Sequence, residues 1–82
     1  MVEIRFDKNF TLIFSKIKDD LLRTKIKKQI QKILENPQVG KPMMHNRKGT
    51  RELYIKPFRL SYSFDVSANI VYILDLYHKD EQ

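Results

Sequence analysis

Between Tyr54 and Lys79 the chain gathers side chains suited to work on a phosphate: Tyr54, Lys56, Arg59, Tyr77, His78 and Lys79. RNA can be cut without a metal, because its own 2′-hydroxyl attacks the adjacent phosphorus once a base takes the proton. Cations then stabilise the charge that builds on the phosphorane, and an acid protonates the departing 5′-oxygen. Fixed cations, a histidine that titrates near neutrality and tyrosine hydroxyls are sufficient in type for these steps. Tyr54 and Tyr77 also offer rings on which an unpaired base can stack.

Other chemistries lack their residues. Cysteine is absent, so disulfides and thiol chemistry are excluded, and no Walker loop, dinucleotide fingerprint, HExxH or GxSxG occurs. His45 and His78 are the only histidines, and a pair separated by most of a sheet makes a poor metal site, so neither a metal nor a cofactor is expected. The formal net charge of +6 over 82 residues favours an anionic partner. From Lys41 to Arg59 there are six cations and a single anion, Glu52. Such density repels itself and is best accommodated facing phosphates, which makes Lys41, Arg47, Lys48 and Arg51 candidate RNA-binding residues.

The elements that must position these groups follow from periodicity. Leu53 and Ile55 alternate with Glu52, Tyr54 and Lys56, and Phe58, Leu60, Tyr62 and Phe64 alternate with Arg59, Ser61, Ser63 and Asp65. Each is a strand with one buried and one open face. Pro57 marks a tight connection between them, and the stretch from Asp65 to Asn69 turns the chain into a last strand. That strand, Ile70 to His78, is apolar in both phases. Keeping Asp75 out of the core selects Ile70, Tyr72, Leu74 and Leu76 as the buried set, with Val71, Ile73, Asp75, Tyr77 and Lys79 on the open face beside Arg59 and Lys56.

Upstream, Val2, Ile4 and Phe6 form a short strand that must join a later sheet. Asp7 or Asn9 caps a first helix with Phe10, Ile13, Phe14 and Ile17 at helical spacing. A second starts near Asp19 and Asp20, buries Leu22, Ile26, Ile30, Ile33 and Leu34, and stops at Asn36-Pro37. Arg23, Lys25, Lys27, Lys28 and Lys32 lie on its polar side. The expected fold is α+β: an N-terminal strand, a two-helix hairpin, then a three-stranded antiparallel sheet, in a single domain over residues 1–82. The longest apolar run, Ile70 to Leu74, is far shorter than the roughly 20 residues of a spanning helix. No signal-peptide order opens the chain, so a soluble cytoplasmic protein is expected.

This order of elements, the Phe58-Arg59-Leu60-Ser61-Tyr62 signature, a glycine before an apolar strand and a last strand ending His78-Lys79 resemble the RelE/ParE toxin superfamily of type II toxin–antitoxin systems, and its RelE-like branch in particular. The resemblance runs from Val2 to Lys79. It implies a ribosome-dependent mRNA endonuclease that blocks translation and is held inactive by a cognate antitoxin. Under it Arg59 matches the arginine that holds the scissile phosphate. Lys79 falls where a second arginine is usual, His78 where histidine or lysine stands, and Lys56 and Tyr54 on the strand that carries basic catalytic residues. His78 or Tyr54 would move the proton. Three departures accompany the match: Glu52 occupies a position where a cation is expected, Lys79 lacks the planar fork of arginine, and no tyrosine follows Tyr77 to serve as the C-terminal tyrosine found in many RelE-type enzymes.

Alternatives remain at single residues and for the whole. Arg59 can pair across strands with Asp75 or Asp65, Lys56 and Lys79 can be solvated charges, and His78 can be a hydrogen-bonded edge histidine. The ParE branch acts instead by binding a topoisomerase, and an inactive RNA-binding module would have the same fold.

Overall fold

Two aspartates start the helices, as their spacing predicts. In the computed structural model, which describes residues 2–44 and 49–81, the Asp7 carboxylate accepts the Asn9 backbone N–H at 2.8 Å. Asp19 accepts those of Leu21 and Leu22 at 2.9 and 3.2 Å. Each carboxylate answers donors that a first helical turn leaves without a carbonyl. α1 (Lys8–Lys16) and α2 (Asp20–Glu35) follow, and Asn36 caps the end of α2 just before Pro37. Arg23 joins the two. Its Nη1 donates to the carbonyls of Phe14 and Ile17 at 2.9 and 3.0 Å, and its guanidinium stacks 4.2 Å above the Phe14 ring. A cation at the C-terminal end of α1 meets both orphan carbonyls and the negative pole of the helix.

The strands are β1 (Glu3–Phe6), β2 (Lys41–Pro42), β3 (Arg51–Ile55), β4 (Phe58–Asp65) and β5 (Ile70–His78), in spatial order β1-β5-β4-β3-β2. β3, β4 and β5 form the expected antiparallel sheet. β1 adds to it parallel to β5, and the two residues of β2 add antiparallel to β3, so the sheet is mixed. One turn of 3-10 helix, Lys79–Glu81, follows β5. The β4–β5 connection is held by the Asp65 carboxylate, which accepts the Ala68 N–H at 3.1 Å, and by Asn69 at φ 59°, a left-handed conformation that asparagine tolerates well.

Both helices pack on one side of the sheet. Phe10, Ile26 and Ile33 meet Ile55, Leu60, Tyr62, Val71, Ile73 and Leu76 in the core. Here the last strand departs from its expected phase. Val71 and Ile73 are buried, whereas Ile70, Tyr72 and Leu74 are only half-buried. The reason is a bulge: Ser61 pairs with Asp75 but Tyr62 pairs with Ile73, which leaves Leu74 opposite no residue of β4. One extra residue exchanges the two faces on one side of it. Beyond the bulge the expected phase holds, with Leu76 inward and Asp75 and Tyr77 on the open face.

Tyr62 locks the loop between α2 and β2. Its hydroxyl donates to the Pro37 carbonyl and accepts the Gly40 N–H, both at 2.8 Å. Arg51 Nη1 donates to the carbonyls of Gln38 and Gly40 at 3.1 and 2.8 Å. Gly40 lies so close that a Cβ there would stand 2.7 Å from the Tyr62 ring and hydroxyl. Burial pushes the Tyr62 hydroxyl above its ordinary pKa of 10.0, against the smaller opposing pull of the Gly40 N–H and of Arg51.

Candidate nucleic-acid interface

The side of β3, β4 and β5 turned away from the helices carries registered rows of polar side chains. Lys41, Glu52, Ser61 and Asp75 form one row, and Tyr54, Arg59 and Tyr77 form the next. Glu52 connects them. Its carboxylate accepts a hydrogen bond from the Tyr77 hydroxyl and lies 3.5 Å from Arg59 Nη1. Although it faces away from the core, Glu52 is only 4% exposed. Tyr54, by contrast, is 51% exposed. Lys79 Nζ lies 6.0 Å from the centre of the Tyr54 ring, within cation–π range. The Lys79 backbone N–H donates to the Pro57 carbonyl at 3.1 Å, which fastens the end of β5 to the β3–β4 turn where Lys56 is exposed.

Two clefts flank this cluster. One of about 260 Å³ is lined by Lys41, Pro42, Met43, Met44 and Arg59. The other, of about 330 Å³, includes Asp7, Asn9, Ser61, Asp75 and Tyr77 in its walls. The open face therefore has a cationic and apolar end and a polar end with two carboxylates. The first has the makings of a nucleotide site: a half-exposed guanidinium and two ammonium groups for phosphate, and a ring and methionines for a base.

Of the expected site residues, the structure brings Tyr54, Arg59, Tyr77 and Lys79 together, with Lys56 on the adjoining turn and Lys41 in the cleft beside Arg59. Others are placed differently. His78 registers with Phe58 and meets its ring edge-on at 5.7 Å, in the phase of Leu76 and opposite to that of Arg59. Its Nδ1 accepts the Asp80 N–H at 3.3 Å, a hydrogen bond of the kind the edge-histidine alternative expects. Arg51 shares the face of Leu53 and Ile55, and its guanidinium holds the loop carbonyls instead of standing on the open side. The Tyr77 hydroxyl is engaged by Glu52, which leaves Tyr54 as the exposed ring for stacking. Arg59 pairs with neither Asp75 nor Asp65 but with Glu52. His45, Arg47 and Lys48 lie outside the described residues. The residue missed as a working part is Glu52. Its signal was present: one anion among six cations, in the outward phase of a strand.

A helical hairpin on one side of a five-stranded mixed sheet, with arginine, lysine and tyrosine on the other, is an α+β architecture of the RelE-like fold. The model of the family described as ParE toxin of the type II toxin–antitoxin system parDE matches residues 4–82. The chain belongs to that family. Among solved structures it is similar to a chain of the intact RelBE toxin–antitoxin complex from E. coli, at TM-score 0.81 and 16% identity over 95% of this chain and 96% of that one. A chain of the RelBE2 toxin–antitoxin complex from Mycobacterium tuberculosis is similar at TM-score 0.80 and 24% identity, over 95% and 98% of the two chains. The YoeB/ParE toxin from Agrobacterium tumefaciens superposes at TM-score 0.84 and 14% identity, over 94% and 98%. At these identities the likeness is one of fold. A search of curated protein sequences gave no significant match. Among the described residues no helix is long and apolar enough to cross a membrane.

Proposed function

We propose that this type II toxin is an endonuclease that cuts mRNA on the ribosome by activating the 2′-hydroxyl, and so inhibits translation. The supporting observation is the Tyr54 ring, exposed, with Lys79 Nζ 6.0 Å from its centre and Arg59 registered directly opposite on β4. Arg59 and Lys79, with Lys56 on the neighbouring turn, supply positive charge where the phosphorane develops it. Tyr54 is the proton carrier on this face: its hydroxyl takes the 2′-hydroxyl proton as the 2′-oxygen bonds to phosphorus and gives a proton to the 5′-oxygen as that bond breaks, while Lys41 extends the cationic path into the cleft beside Arg59. The expected partner is a cognate antitoxin with an acidic, amphipathic segment. A groove of about 360 Å³ edged by Phe6, Phe10, Phe14, Ile30, Arg23 and Lys27 has the apolar floor and cationic rim to receive one.

Primer extension on cellular mRNA after expression of the toxin tests the nuclease. New cuts at ribosome-bound codons, lost in Arg59→Ala, are the expected result. A second reading has one observation in its favour: the buried Glu52 carboxylate beside Arg59 offsets the cation that a nuclease needs most. A toxin of the ParE kind, which binds a topoisomerase, has no need of a free phosphate clamp. DNA damage with intact mRNA would establish that reading in place of the first.

A further inference from the structure

We propose that Glu52 is a positioning residue: it holds Arg59 and Tyr77 from behind and thereby decides which edge of the Arg59 guanidinium meets a phosphate. The proposal rests on the reading that Arg59 grips the scissile phosphate.

Among the described residues Glu52 is the one buried charged side chain, and it lies on a face of the sheet that no helix covers. Removing a carboxylate from water carries a large penalty unless charge and hydrogen bonds answer it. Strand formation supplies no reason for it, because a β-branched residue would suit β3 better. A carboxylate does one thing at this position that an alcohol or an alkyl group cannot, which is to fix a guanidinium by charge. Its Oε1 lies 3.5 Å from Nη1 of Arg59, and its Oε2 accepts the Tyr77 hydroxyl, so one acidic group spans β3, β4 and β5.

Two details favour a role in orientation over simple neutralisation. A charge-assisted hydrogen bond runs at roughly 2.7–2.9 Å, and the contact at Nη1 is longer, so Glu52 directs the guanidinium without closing on it. Nε of Arg59 is buried and has no hydrogen-bond partner among the described residues. The exposed part of this side chain, 35% of it, therefore lies towards the Nη end, and with Nη1 anchored on its Glu52 side those terminal N–H groups are the ones left to meet phosphate oxygens.

The test uses purified toxin and ribosomes programmed with a defined mRNA, with kcat and KM measured for wild type, Glu52→Gln, Arg59→Ala and the double variant. Glu52→Gln keeps the shape and removes the charge. Its kcat should fall about 10- to 100-fold, as expected for a misaligned transition-state contact, while KM stays within about threefold. The double variant should be no slower than Arg59→Ala alone, since both act through one group. Wild-type kcat in Glu52→Gln, or losses that multiply in the double variant, would overturn the proposal. If Glu52→Gln does not fold, as judged by thermal unfolding, Tyr77→Phe removes the second contact of the carboxylate and must lower kcat with KM unchanged; an unaltered kcat there also overturns it. If wild-type toxin cuts no mRNA, the nuclease reading falls and this proposal falls with it; cleavage by wild type together with an unaltered kcat in Glu52→Gln overturns the proposal alone.

Discussion

Opposite faces of the same sheet each hold a tyrosine and an arginine, and the two pairs differ in the groups they turn to. On the covered face Tyr62 and Arg51 donate to backbone carbonyls of Pro37, Gln38 and Gly40. On the open face Tyr77 and Arg59 turn to the carboxylate of Glu52. Carbonyls of a loop are neutral and belong to the chain, so the first pair fixes structure. A carboxylate brings charge, and it leaves part of a half-exposed guanidinium able to meet another anion. Identical side chains thus become a clasp on one side and a candidate anion site on the other, according to the acceptor beneath them.

Replacing the two arginines separates these roles most strongly. Arg59→Ala should reduce mRNA cleavage by about 10²- to 10³-fold, the usual cost of losing one donor to a developing charge. Arg51→Ala should lower the melting temperature and leave the kcat of the folded protein near that of wild type. Cleavage assays paired with thermal unfolding check both, and a large kcat loss in Arg51→Ala would erase the distinction.

The two faces were not equally legible from the sequence. Alternation around Leu53, Ile55, Leu60 and Tyr62 placed β3 and β4 correctly, but the count of cations assigns Arg51 to phosphate, and the structure sets it on the face of Leu53 and Ile55. The Leu74 bulge left no such mark. From Ile70 to Leu74 the chain is apolar in either phase, so an inserted residue changes the faces without placing a charge in the core. The burial of Glu52 was hidden for another reason. Its partners Arg59 and Tyr77, the latter 25 positions away, reach the acidic group from neighbouring strands. Local patterns report which way a side chain points, and they do not report which partners distant segments will bring to it.

The tyrosines give smaller effects of the same kind. Tyr62→Phe leaves the buried Gly40 N–H without its acceptor, and an unmet buried donor costs about 1–3 kcal/mol. Gly40→Ala approaches from the other partner: a Cβ 2.7 Å from the Tyr62 ring forces loop or ring to shift, at about 1–3 kcal/mol for such overpacking. Tyr77→Phe removes a hydrogen bond from the buried Glu52 carboxylate, a charged acceptor, and should cost at least as much as Tyr62→Phe, about 1.5–3 kcal/mol. Urea denaturation of the three variants ranks them. A Tyr77→Phe loss well below that of Tyr62→Phe would mean that water replaces the lost hydroxyl and that the loop clasp, not the open-face network, carries the fold.

Alkaline pH probes the covered pair when wild type is compared with Tyr62→Phe, which keeps every other ionisable group. Burial raises the Tyr62 pKa above 10.0 in the folded protein, because the phenolate loses more solvation there than the Gly40 N–H and Arg51 restore. Below the unfolded-state value the hydroxyl is neutral in both states and its contribution is complete. As pH rises past that value the unfolded chain releases the proton first, so stability falls until the folded pKa is also passed. Tyr62→Phe has no proton to release at this position. Its free energy of unfolding should therefore start lower and fall less steeply between about pH 8 and about pH 11, the range around an ordinary tyrosine. Converging curves at high pH place the ionising group in the enclosed clasp, whereas parallel curves would show that the hydroxyl of Tyr62 is as well solvated in the folded protein as in the unfolded chain.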